Sequence, residues 1–171
     1  MEPVWKNPMQ KIKAPKVNLE PLEPVSIQDV QARLNRCQHA DLIGERDQAI
    51  FLFLLDTGAR AQQACNIYVK EIDLNSGAVM IRFGKGGKTR MVFMGRKTRI
   101  AMRSCLRMRH DESPALFVSK NAERLTYDGL RQLLERRAKL ANKPKLHGFR
   151  RAFSLNMLRS GVDIFISQRL L

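Results

Sequence analysis

A chain of 171 residues with 44 % apolar composition is the size of one ordinary domain and can close a hydrophobic core without disulfides or a structural metal. Its 31 lysines and arginines against 16 acidic residues give a charge of +15, which points to a polyanionic partner, nucleic acid first, although a merely solvated basic surface has the same composition. Cys37, Cys65 and Cys105 are odd in number and far apart, with no Cys-x-x-Cys and no histidine at ligand spacing; this argues against a disulfide scaffold and a metal site and for reduced, buried thiols.

Residues 1–24 hold five of the seven prolines (Pro3, Pro8, Pro15, Pro21, Pro24) and four lysines without periodicity, the composition of a linker or extended arm. Neither a secretory or transit signal nor a membrane span fits there or later, so a soluble, cytoplasmic protein is expected. One domain is expected over 25–171. Ser26 and Asp29 resemble a capping box, and Val30 and Leu34 form one stripe of a first helix at about 27–37. A second helix at about 45–55 carries Ile50, Phe51, Phe53, Leu54 and Leu55, too uniformly apolar for the surface, and should be the central buried helix. Asp56-Thr57-Gly58 breaks it and a short helix follows at 59–67, which puts Arg60 at the mouth of a turn.

From 68 to 94 the pattern changes to short β-type runs: 68–74, a turn at Asn75-Ser76-Gly77, 79–83, a Gly84-Lys85-Gly86-Gly87-Lys88 tip, and 91–94. A small three-stranded antiparallel sheet fits. Helices are expected at 95–110, at 127–141 with Thr126 as cap, at 148–160 ended by Gly161, and from 163 onward, with an extended piece at 115–118. The fold class is mainly α with one small antiparallel sheet, α+β.

Four residues could carry chemistry: Arg60, Lys85, His147 and Arg150. Taken singly, each has a plainer reading as a surface arginine, a tight hairpin or a helix-start histidine. The Gly-Lys-Gly-Gly-Lys tip lacks P-loop spacing and joins two strands, so no nucleotide cofactor is expected. Taken in order, with the lysine 25 residues after the first arginine and the His-x-x-Arg 62 further on, they form one scheme. The chain resembles the tyrosine recombinase or phage integrase family. The resemblance rests on Thr57-Gly58-Ala59-Arg60 after an apolar helix and on Glu71-Ile72-Asp73 ahead of the lysine hairpin. It rests equally on His147-Gly148-Phe149-Arg150, which opens a helix running on through Arg151 and Leu158 to Gly161-Val162-Asp163. It spans about 25–171, and Asn7-Pro8 with residues 11–17 is similar to the family's interdomain linker.

The resemblance implies the family's catalytic-domain fold and site-specific DNA recombination or integration. DNA would be broken and rejoined through a phosphotyrosyl intermediate, without metal, ATP or other cofactor. Double-stranded DNA is the implied partner, with other recombinase subunits in the full-length protein. A phosphodiester repels nucleophiles and gains charge in the transition state, so planar cations on its non-bridging oxygens are the natural catalyst. Arg60 and Arg150 would form that clamp, and lysine would not substitute for either because guanidinium alone donates two parallel hydrogen bonds. Lys85 would protonate the departing 5′ oxygen, and His147 would assist proton transfer or orient the phosphate.

Two departures stand out. Gln63 occupies the position where the family usually has glutamate. After Leu170-Leu171 the family continues through Gly-His or Gly-Trp to its nucleophilic tyrosine, and neither Tyr68 nor Tyr127 is expected to replace that tyrosine. The chain alone is therefore expected to be a fragment unable to cleave, monomeric, and a weak DNA binder with steep salt dependence. The alternative is a non-catalytic DNA-binding or regulatory remnant of an integrase; a type IB topoisomerase shares the site logic but usually not the spacing.

Overall fold

A computed structural model of the chain describes residues 41–82, 89–137 and 146–170. The arm expected at 1–24, the helix expected at 27–37, and Lys85 with the rest of its hairpin tip lie outside these residues.

Helix α1, Leu42–Thr57, is the centre of the fold, as the apolar run predicts. It begins ahead of that run because Asp41 caps it, its carboxylate accepting the Gly44 N–H at 2.6 Å. The charged residues Glu45, Arg46 and Asp47 at its start look solvated in the sequence but are buried. The charges of Arg46 and Asp47 are met inside: Arg46 donates to the Asp47 carboxylate at 2.7 Å and to the Val118 carbonyl at 2.7 Å, and Arg137 reaches Asp47 at 2.8 Å. The helix ends at Gly58, whose left-handed φ of 58° lets its N–H bond the Leu54 carbonyl at 3.1 Å.

Helix α2, Ala61–Asn66, follows at once. Strands β1, Ala78–Ile81, and β2, Arg90–Phe93, then pair antiparallel, with Ala78 opposite Phe93 and Ile81 opposite Arg90. The third strand expected over 68–74 is not formed, and the sheet has two strands among the described residues. Tyr68 makes a single bridge to Ala115 and Ile72 another to Val79, while Val69–Glu71 between them winds as a 3-10 turn. The reason is local satisfaction of the backbone: the Glu71 carboxylate accepts the Tyr68 N–H at 3.0 Å, and the Glu71 N–H returns to the Tyr68 carbonyl at 3.0 Å.

Helices α3, Arg96–Arg107, α4, Tyr127–Arg137, α5, His147–Arg159, and α6, Ile164–Leu170, complete the order. Helix α3 stops short of the expected residue 110 because the Arg109 guanidinium is spent on the carbonyls of Ser113 and Ala115 and on the Asp111 carboxylate, which turns the chain. Its start is held from α1, where one Asp56 oxygen accepts the Gly95 N–H at 2.7 Å and the Thr98 hydroxyl at 2.5 Å. The Thr126 hydroxyl accepts the Gly129 N–H at 3.1 Å and caps α4 as expected, and Gly161 ends the α5 segment at φ 80°.

Helix α1 packs against α3 and α5, and α2 against α4. Four phenylalanines make the middle of the core: Phe51 stacks on Phe149 at 6.0 Å, and Phe53 meets Phe117 edge-on at 5.9 Å. The first pair fixes where α5 crosses α1 and so carries the residue after Phe149 to the end of α1. Cys65 and Cys105 are buried free thiols, each pushed up to about 11 by burial.

Candidate functional site

The turn that ends α1 is the floor of the site. The Thr57 hydroxyl donates to the Phe53 carbonyl at 2.7 Å and accepts the Ala59 N–H at 3.3 Å, so the turn is tied down by a buried side chain. Arg60 leaves it in extended conformation and donates its backbone N–H to the side-chain oxygen of buried Gln63 at 3.1 Å. From the opposite direction Arg150, in the first turn of α5, donates Nη1 to the Gly58 carbonyl at 2.8 Å, across 92 residues of sequence. The two predicted arginines therefore meet at one glycine turn.

A third arginine joins them. Arg90 opens β2 and donates Nη2 to the same Gln63 oxygen at 3.2 Å. The three charges act on one another: burial first, then Arg60 and Arg90, push the Arg150 guanidinium down to about 10, and burial followed by Arg60 lowers Arg90. At about 10 the Arg150 guanidinium remains charged at neutral pH. The ion pairs among the described residues engage Arg46, Arg82, Arg109, Arg131 and Arg137, and none involves Arg60 or Arg90. Half-buried like charges, of which Arg60 and Arg90 have no ion-pair partner among the described residues, are set up to receive an anion.

Sequence reasoning missed Arg90, yet a signal was there. Along β2 the buried face is Val92, and with the period of two Arg90 shares that face, opposite the buried Ile81. A charge at an inward register position calls for an internal partner, and Gln63 is that partner.

His147 is exposed at the first residue of α5, one turn before Arg150 on the same side of the helix. Lys85 lies outside the described residues. Tyr68 is exposed, with the Arg124 guanidinium 4.5 Å over its ring, and Tyr127 is exposed at the start of α4. Among the described residues no three of His, Cys, Asp and Glu converge as metal ligands, and no helix is long and apolar enough to cross a membrane.

The family model named phage integrase family matches residues 25–171. This chain belongs to the phage integrase family. It is 36 % identical over 130 residues to the tyrosine recombinase XerA of Pyrococcus furiosus, covering 74 % of this chain and 46 % of that protein. It is 35 % identical over 140 residues to the tyrosine recombinase XerC of Pseudomonas putida W619, covering 77 % of this chain and 45 % of that one. The chain thus spans under half the length of these relatives. Among solved structures, the XerA recombinase crystal structure is similar with a TM-score of 0.75 at 26 % identity, covering 88 % of this chain and 56 % of that one. The Tn1549 transposon integrase, in complex with a circular intermediate DNA, matches with a TM-score of 0.73 at 17 % identity, covering 91 % of this chain and 59 % of that one, a likeness of fold. In this chain the two arginine segments are far apart in sequence, and the stack of Phe149 on Phe51 brings them together.

Proposed function

We propose that the chain is the phosphate-activating part of a tyrosine recombinase catalytic domain, acting on double-stranded DNA in site-specific breakage and rejoining. One observation carries this reading: Arg60 and Arg150 converge from two helices on the Gly58 turn. Their guanidiniums grip the non-bridging oxygens of the scissile phosphate and stabilise the charge that builds up as a tyrosine hydroxyl attacks phosphorus. The attack forms a phosphotyrosyl bond and releases the 5′ oxygen. Lys85 delivers a proton to that oxygen, and His147, one turn before Arg150, assists proton transfer at the nucleophile or orients the phosphate. The phosphotyrosyl bond conserves the energy for rejoining, so the step needs no ATP. The nucleophile is a tyrosine other than Tyr68 and Tyr127, since neither is bonded to the arginine cluster and Tyr68 is engaged by Arg124. In this reading the catalytic unit begins near residue 25, and the chain, a monomer in isolation, works in the cytoplasm beside other recombinase subunits.

A covalent-capture assay tests the reading. The protein as its gene encodes it, incubated with a pool of nicked duplexes, should trap a covalent protein–DNA adduct, and Arg60→Ala or Arg150→Ala should abolish the adduct while the fold is retained. Retention of duplex binding with no adduct on any sequence would replace this reading with that of a non-catalytic DNA-binding remnant.

A further inference from the structure

We propose that Arg90 is a third phosphate-contacting residue of this site, with Gln63 as the positioning residue that holds it beside Arg60. The proposal rests on the phosphate-clamp reading and extends it to a strand that the two arginine motifs do not include.

Register is the first support. Arg90 stands on the inward face of β2, opposite buried Ile81 and in line with buried Val92, where a side chain free to choose would be apolar. The second support is the way it is held. A single Gln63 side-chain oxygen accepts both Arg90 Nη2 at 3.2 Å and the Arg60 backbone N–H at 3.1 Å, so one buried amide sets the position of β2's arginine against that of the α1–α2 turn. The third is what Arg90 leaves unspent. Among the described residues neither its buried Nε nor its Nη1 has a hydrogen-bond partner. Buried donors without partners are exceptions in folded proteins, and an arriving acceptor removes the exception. Finally, Gln63 supplies an oxygen but no charge, so the positive charge of Arg90 stays available to a phosphate, where a carboxylate would have cancelled it.

A purely structural Arg90, propping the hairpin against α2, is the competing account. Arginine side-chain NMR on the 171-residue chain separates the two. Inorganic phosphate is titrated at constant ionic strength with chloride as the control, and the Nε–H signals are assigned by through-bond correlation to the assigned backbone of the unsubstituted chain. The proposal expects the Arg60, Arg90 and Arg150 signals to shift together and saturate with one Kd. Arg90→Lys, which keeps the charge and loses the planar fork, should weaken phosphate binding by about tenfold. Gln63→Ala should uncouple the Arg90 signal from the other two. Shifts at Arg60 and Arg150 with a silent Arg90, together with an unchanged Kd in Arg90→Lys, would sink the role of Arg90 and leave the two-arginine clamp standing. No response from any of the three would remove the clamp itself, and the proposal with it. The measurement on the unsubstituted chain decides between these outcomes even if a variant fails to fold.

Discussion

Gln63 accepts hydrogen bonds from the Arg90 guanidinium and from the Arg60 backbone N–H and lends neither arginine a counter-charge. Gln63→Glu keeps the shape and adds a counter-charge. Charge-assisted hydrogen bonds exceed neutral ones, and after discounting for the solvent that reaches this half-open site the gain is about 1 kcal/mol, or a rise of about 2–4 °C in Tm for a chain of this size. The same carboxylate competes with phosphate for the guanidiniums. Thermal melts and phosphate titrations of this variant should therefore move in opposite directions, more stable and weaker in binding; a less stable variant would mean that the arginines do not repel in the native state.

At the level of elements, contacts between helices set the boundaries. Asp56 belongs to α1 but serves α3, its oxygen receiving both the Gly95 N–H and the Thr98 hydroxyl. Asp56→Ala should cost about 1 kcal/mol through the lost cap, seen as a Tm lower by about 2–4 °C, with phosphate binding unchanged. Beyond the far end of α3, the hydrogen bond from Arg109 holds the Asp111 carboxyl below its usual range. A group whose folded pKa is depressed contributes stability above its ordinary pKa and loses it as pH falls through the folded value. Asp111→Asn should thus lower Tm at pH 7, and the difference from the unsubstituted chain should vanish in strong acid, below both values; a difference that persists there would show that the pair acts through packing and not charge. These contacts also mark what the sequence conceals. The α1 run is legible because Phe51, Phe53 and Leu54 have no polar gap, whereas its start at Leu42, ahead of the expected 45, is set by the Asp41 cap, which the apolar run does not mark. The 68–74 segment has strand composition, yet the Glu71 side chain satisfies Tyr68 locally and the ladder is lost. Arg60 and Arg150 are legible from their motifs, while Arg90 becomes visible only once β2 has a register.

Over the whole molecule, an excess charge of +15 opposes compaction and is relieved by bound anions. Phosphate or sulfate at millimolar concentration should raise Tm, by RT ln(1 + [L]/Kd) for a single site, and more than chloride of equal ionic strength. Arg60→Ala with Arg150→Ala should remove the part of that rise that belongs to the site and leave the general salt effect; an unaltered rise in the double variant would locate anion binding elsewhere on the basic surface. The stack of Phe149 on Phe51 has a bearing on how the protein is made. Synthesis proceeds from the N-terminus, so α1 with Arg60 leaves the ribosome long before α5. Until α5 folds back and seats its ring, Arg150 has no Gly58 carbonyl to find, and contacts of such long sequence separation form late. A nascent chain thus carries the basic residues of its site without the site itself, and Arg150 joins the Gly58 turn only when α5 closes the core.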